Sequence, residues 1–381
     1  MTPLPDFQLE IFFSRWEFAA RHNLAASDAQ TLTIGELLEL GDREAFEALP
    51  LSYAPTWGTP ELLEAVAATY DAVCPEHVLA FAGAEEAMFW ALQELLAPGD
   101  HTVVTVPNYQ SMESVAIATG ADVEGLVLRG DDGWALDLDA LERLLRPSTR
   151  LVAVNFPNNP TGAMPDSETF ARLVALCDER GIRLFSDEVY RGLELDPSAT
   201  LPQAADLSDT ALSLNVMSKA YGLPGLRIGW LACQDRALLE RLERRKHYTT
   251  ICNPVPSERL AAIALRNGDA IRARNRAIVA ENVPVFEAFF AHRPVEWEPP
   301  RGGCVCFPRL VTGEPTRTFC RRLVEEAGVI LLPADVFVSA LGEVPQDRFR
   351  LGAGRGDPGP ALDALAGFLD VENGGRRSCS G

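Results

Sequence analysis

Lys219 and Arg227 stand eight residues apart in Ser218-Lys219-Ala220-Tyr221-Gly222-Leu223-Pro224-Gly225-Leu226-Arg227. An apolar run over 211–217 leads into Ser218-Lys219, and a second run opens around Arg227 and continues to 233. Read physically, one buried strand delivers a lysine to the mouth of a loop, and the next brings an arginine back towards it. Such residues are rarely set among apolar groups unless paired. Burial lowers the pKa of a lysine amine, and the neutral amine attacks carbonyls to form an imine. An arginine close by offers a planar fork that suits a phosphate. An imine-forming lysine with a phosphate clamp is what pyridoxal 5′-phosphate (PLP) requires. Taken alone, the stretch also fits two surface charges in a loop between strands.

Other segments carry groups that PLP chemistry needs. Asp187, in Phe185-Ser186-Asp187-Glu188-Val189-Tyr190, closes an apolar run. A buried carboxylate there would keep the pyridine nitrogen protonated, and the protonated ring is the electron sink. By itself Asp187 is equally a helix N-cap or part of a solvated Asp-Glu pair. Tyr190 can offer its phenol to the cofactor's 3′-oxygen, or pack as an ordinary aromatic. Asn155-Phe156-Pro157-Asn158-Asn159-Pro160-Thr161-Gly162 follows another apolar run. Its turns hold side-chain amides rigidly, and one amide can donate to the same oxygen. Ala84 and Glu85 open a helix after Gly83, where backbone amides can bind phosphate, as any strand-to-helix turn can. Tyr109, after Pro107-Asn108, can stack on a flat ring or fill a rim.

The elements that must position these groups follow an alternating rhythm. Apolar runs at 77–82, 102–106, 123–128, 151–156, 183–186, 211–216 and 228–233 read as buried strands. Helical patterns at 84–96, 111–118, 138–145 and 167–180 fall between them. This predicts an α/β fold with a mainly parallel seven-stranded sheet sandwiched by helices. Ligands in such sheets sit beyond the carboxyl ends of the strands, where the candidate residues fall. Ahead of the sheet, helical stretches are expected at 9–22 and 34–40, and a helix from 59 to 73 with Thr59 as N-cap and Pro60 in its first turn. Helical periodicity dominates 235–290. Beyond 294, short strands and helices at 316–327 and 360–369 predict a smaller α+β domain. The expected division is 1–45 as an N-terminal segment joining the small domain, 46–285 as the large domain and 286–372 as the C-terminal small domain. Residues 373–381, rich in Gly, Ser and Arg, read as a disordered tail.

The 381 residues are 47% hydrophobic and carry a formal net charge of -20, a surface that repels nucleic acid and anionic lipid, so neither is expected as a partner. No apolar run approaches membrane-spanning length, and residues 1–20 lack a signal-peptide core. The eight cysteines show no metal spacing, so no metal is expected. They read as reduced thiols of a cytoplasmic protein.

Asn159-Pro160-Thr161-Gly162, Asp187-x-x-Tyr190, Ser218-Lys219 and Arg227, in this order and at these spacings, resemble the class I/II aminotransferases, the fold-type I PLP enzymes. The resemblance covers roughly residues 50–370. It implies that Lys219 forms the internal aldimine and that Asp187 binds the pyridine nitrogen. Tyr190 and Asn159 would bind the 3′-oxygen, and Tyr109 would stack on the ring. The amides of Ala84 and Glu85, the Ser218 hydroxyl and the Arg227 guanidinium would hold the phosphate. Tyr53 resembles a tyrosine that reaches the neighbouring subunit's phosphate, which implies a homodimer. Arg350 resembles the arginine that holds the substrate α-carboxylate, with Arg348 and Arg355 as near rivals. Two departures stand out. Val216 occupies a position where the family often has a phosphate-binding Ser or Thr. Ala25-Ala26-Ser27-Asp28-Ala29-Gln30-Thr31 stands where a Gly-x-Pro substrate loop is usual. In this the chain is similar to the branch that includes the capreomycidine synthase type, whose PLP chemistry is not transamination. The expectation is a PLP-dependent aminotransferase acting on an α-amino acid and a keto acid. The alternatives are β-elimination, β-replacement, cyclisation or oxidation on the same cofactor, and a PLP-binding regulatory module without turnover.

Overall fold

The computed structural model describes residues 3–378. Its central sheet has seven strands: β1 (Val78–Phe81), β2 (His101–Val106), β3 (Asp122–Val127), β4 (Thr149–Asn155), β5 (Arg183–Asp187), β6 (Leu212–Val216) and β7 (Gly229–Ala232). Their spatial order is β1-β7-β6-β5-β4-β2-β3. Strand β7 runs antiparallel to β1 and β6, and the other pairs are parallel. Strands β1, β2, β6 and β7 are buried along their whole length, which is why each reads as an unbroken apolar run. The edge strand β3 is more exposed, and Arg146 pairs with its Asp122 and Glu124 at that edge. Such charges on an edge oppose pairing with a further strand.

The sheet orders the site by bringing strand ends together. The carboxyl ends of β4, β5 and β6 are neighbours, so Asn155, Asp187 and Val216 finish side by side. Helices α1 (Gln8–Trp16), α2 (Ala84–Leu95) and α3 (Gln110–Ala118) start or lie beside those ends.

A smaller α+β unit is built from both chain termini. His22–Asn23 pairs in parallel with Val329–Ile330. Phe349–Gly352 lies between Val305–Cys306 and Leu332–Pro333, antiparallel to both. The stretch 235–290 resolves into three helices, Arg236–Lys246, Val255–Arg266 and Gly268–Phe290.

Four local expectations are corrected. The first helix stops at Trp16 and not at His22, because the Arg21 and His22 amides donate to the Gly328 carbonyl and draw the chain into a strand. The helix opened by Pro60 ends at Ala67 and not at Val73, and the amides of Asp71 and Ala72 donate to Asp206, which turns the chain. Thr59 does not cap that helix with its side chain; its amide donates to Glu258 at 2.7 Å. The expected tail is also shorter. The last helix, Gly359–Ser378, runs through most of it, since extending a formed helix costs less than nucleating one. Residues 379–381 of that expected tail lie outside the described residues.

Candidate active site

A cavity of about 400 Å³ opens at the carboxyl ends of β4, β5 and β6. Ala84, Glu85, Tyr109, Asn159, Asp187, Tyr190, Ser218, Lys219 and Arg227 all line it, drawn from five separate stretches of the sequence.

Lys219 stands at the wall, and its Nζ donates to Ser27 Oγ at 2.7 Å. The amine lies 5.8 Å from the Tyr190 ring centre. Burial first, and the nearby Arg350 cation second, hold its pKa below the ordinary lysine value. Asp187 is buried, and burial pushes its carboxyl up to about 7 against the opposing Val189 amide and Lys219. Its backbone carbonyl accepts from Asn155 Nδ2 at 3.1 Å. Asn155 Oδ1 in turn accepts from the Asn159 amide at 2.8 Å. The β4 and β5 ends and the Asn159 turn are thus one hydrogen-bonded unit.

Arg227 Nη1 reaches Ser218 Oγ at 3.3 Å and the Pro224 carbonyl at 3.1 Å. Its backbone sits at φ +51, a left-handed conformation that costs an arginine free energy and aims its fork at the start of α2. Gly83 is shaped to receive it. A Cβ on Gly83 would collide with the Arg227 guanidinium, and one on Gly229 would meet the backbone of Gly83 and Ala84 at 2.7–2.8 Å. Helix N-terminus, hydroxyl and guanidinium therefore converge on one pocket, with the first-turn amides unpaired by the helix itself.

Arg350, on the strand Phe349–Gly352, is 1% exposed. Its Nη1 donates to Asn159 Oδ1 at 3.0 Å and its Nη2 to the Ala25 carbonyl at 2.8 Å, while Nε has no partner. It forms no ion pair among the described residues. Its two rivals are occupied: Arg348 donates to the Phe307 carbonyl at 2.7 Å and stacks on Trp134, and Arg355 pairs with Asp28 at 2.7 Å.

Tyr53 is not brought into the cavity. Its ring is 88% exposed, near in sequence to the equally bare Leu51. Besides Val216, six lining residues were not singled out from the sequence as site residues: Glu10, Glu17, Met88, Asn155, Val189 and Pro224. Glu10 and Glu17 lie seven apart on the first helical stretch, a spacing that puts both on one face. That spacing was available in the sequence, but only the tertiary contact shows that the face covers this cavity. Glu10 accepts from the Tyr109 hydroxyl at 3.0 Å. Burial, then Glu10 and Asp28, raise the pKa of Glu17.

The family model for aminotransferase class I and II matches residues 23–359. The chain belongs to this family. Among its curated relatives, capreomycidine synthase of Streptomyces vinaceus is 34% identical over 394 residues, covering 99% of this chain and 97% of that protein. A PLP-dependent aminotransferase structure from Streptococcus suis superposes with a TM-score of 0.90 at 31% identity, over 97% of this chain and 99% of that one. A PLP-dependent cyclase structure superposes with a TM-score of 0.89 at 26% identity, over 98% and 99%. As in this aminotransferase family, PLP is the cofactor, and the residues present fit it. Among the described residues the buried Tyr190 hydroxyl has only the Ser27 side chain beside it, Asn159 Oδ1 is taken by Arg350 so that its Nδ2 is left to donate, and Gly83 has no side chain to displace Arg227 from the start of α2. Val216 lines the cavity as an apolar wall, so it offers the phosphate no hydrogen bond. No helix among the described residues is long and apolar enough to cross a membrane, and no cluster of metal-binding side chains forms among them.

Proposed function

We propose that this PLP-dependent enzyme removes the α-proton of an amino acid with a cationic side chain and passes its amino group to a keto acid. Arg350 carries the amino-acid part of this reading. A fully buried guanidinium without a carboxylate is costly, and a substrate α-carboxylate supplies the missing charge with a geometry that a planar fork matches. When bound, PLP supplies the sink for the electron pair left on the α-carbon. Asp187 keeps the proton on the ring nitrogen. Tyr190 Oη and Asn159 Nδ2 hold the 3′-oxygen, and Tyr109 covers the ring. Arg227, Ser218 and the α2 amides grip the phosphate. Lys219, whose pKa burial and then Arg350 lower, takes the α-proton and returns it, general base and acid in one.

Glu10 and Glu17 support the choice of side chain. Both face the cavity, and burial first, then the carboxylates of Glu10 and Asp28, raise the Glu17 pKa. An ammonium or guanidinium at the substrate's far end relieves the crowding of these carboxylates. A second reading keeps the same proton removal and follows it with β-elimination, β-replacement or cyclisation. The 34% identity to capreomycidine synthase over nearly the whole chain favours it.

The active unit on this reading is a homodimer with Tyr53 reaching the partner's phosphate site. Lys246 supports it: buried, it donates to the Thr56 carbonyl and to Asn253 Oδ1, both at 2.7 Å, and so ties together two segments that expose Leu51, Tyr53, Tyr248 and Ile251.

A panel of arginine, lysine, ornithine and norvaline, each with pyruvate, tests the reading. The first reading expects the matching keto acid and alanine in equal amounts, from the cationic amino acids first. Loss of the α-proton with no alanine formed, together with loss of the β-hydroxyl when serine or a β-hydroxylated cationic amino acid is added, selects the second. No change in the cofactor's absorbance with any amino acid overturns both.

A further inference from the structure

The geometry points to Ser27 as a positioning residue that aims the Lys219 amine at the substrate, an inference that rests on Lys219 being the group that moves the α-proton. Ser27 Oγ lies 2.7 Å from Lys219 Nζ and accepts its N–H. The segment that presents Ser27 is tied down on every side. The Leu24 carbonyl accepts from the Gly352 amide at 2.7 Å and the Ala25 carbonyl from Arg350 at 2.8 Å. The Ser27 carbonyl accepts from Cys304 Sγ at 3.4 Å. Asp28 pairs with Arg355, and the Ala29 amide donates to the Lys219 carbonyl at 3.3 Å. These anchors come from the loop after β6 and from three places in the small unit. The hydroxyl is therefore held relative both to Lys219 and to the candidate carboxylate anchor, Arg350.

This placement answers a problem specific to lysine. Its four-carbon stem is flexible, and ordering it costs side-chain entropy. Once released from the cofactor, an amine with no anchor wanders. A fixed acceptor that engages one N–H fixes the nitrogen and turns its lone pair away from Ser27, into the cavity. The proton transfer balances without Ser27 changing state. The α-C–H bond breaks and leaves its electron pair on the substrate carbon, a new N–H bond forms on Lys219, and the same nitrogen later gives the proton back. The ammonium formed part-way donates to Ser27 Oγ more strongly than the neutral amine does, because the bond is then charge-assisted. Ser27 thus favours the proton-accepting direction while staying protonated itself. A glycine or alanine at this position leaves the amine without that acceptor.

The test uses the PLP-loaded enzyme with Ser27→Ala and Ser27→Thr, and the amino acid that most changes the cofactor's absorbance in the panel above. Three quantities are read: α-proton exchange in heavy water by NMR, the isotope effect with α-deuterated substrate, and the pH midpoint of the cofactor band without substrate. Ser27→Ala is expected to slow exchange about tenfold, as losing one hydrogen bond to a charged group does. KM stays within about twofold, the isotope effect rises and the pH midpoint moves. Ser27→Thr, which keeps the hydroxyl, restores most of the exchange rate. Exchange within twofold of the parent in Ser27→Ala overturns the inference. So does an equal loss in both variants with KM raised, which marks Ser27 as a packing residue only. A parent that carries PLP on Lys219 but exchanges no α-proton overturns the functional reading and this inference with it.

Discussion

Arg350 Nη1 donates to Asn159 Oδ1 at 3.0 Å across 191 residues of sequence. One hydrogen bond joins the expected carboxylate anchor on the small unit to the expected 3′-oxygen ligand on the large one. It fixes the orientation of the Asn159 amide and leaves the guanidinium still short of a counter-charge.

Arg350→Lys replaces a planar fork by a point charge. The expected outcome is a KM for the amino acid raised on the order of 10- to 100-fold, the loss of a charged hydrogen bond. PLP binding and its absorbance should stay normal. Steady-state kinetics beside a cofactor titration checks this; unchanged KM places the anchor elsewhere.

Asp187→Ala should lower the rate by more than about a hundredfold, as removal of a key electrostatic partner does. Its pH signature is separate. In the apoprotein the folded carboxyl is pushed up to about 7, against roughly 3.9 in an unfolded chain. The folded state therefore holds the proton longer, and this stabilising contribution is present below about pH 4 and lost as pH rises through about 7. The neighbouring Glu188 is also pushed up to about 7. Melting curves of apo parent and apo Asp187→Asn across that window isolate the Asp187 part. Parallel curves in the two proteins would remove the assignment.

Glu10→Gln and Glu17→Gln test the charge of the substrate. Each should raise KM for a cationic amino acid roughly several-fold, since both carboxylates are partly open to water and screened. KM for norvaline should hold or fall. A matched change for both substrates would show that the pair shapes the cavity without reading charge.

Tyr53 is expected to act in the partner's site. Mixing inactive Lys219→Ala chains with chains inactivated at Tyr53 should restore part of the activity through hybrid dimers. A monomer in sedimentation with full activity would contradict shared sites.

Much of the fold and of the cofactor side was legible in the sequence. The seven strands print as seven apolar runs because both faces of the sheet are covered, with only the edge strand β3 more exposed. Lys219, Asp187, Asn159 and Tyr190 sit at or just past strand ends, and because β4, β5 and β6 run parallel those ends meet on one edge, so the pattern could bring them together while the family resemblance supplied their roles. The substrate side depended on long-range contact. The choice of Arg350 over Arg348 and Arg355 needed their partners, a carbonyl with Trp134 for one and Asp28 for the other. Glu10 and Glu17 show a helical spacing, yet nothing local says that the helix closes over the mouth of the cavity. Ser27 lies in a segment with no regular period, held by hydrogen bonds to partners 190 or more residues away. Apolar periodicity and strand ends are properties of neighbouring residues, so the sequence determines them directly. Which polar side chain meets which across the cavity is settled only when the two units pack together, because that packing alone decides which polar groups lose water and must find each other.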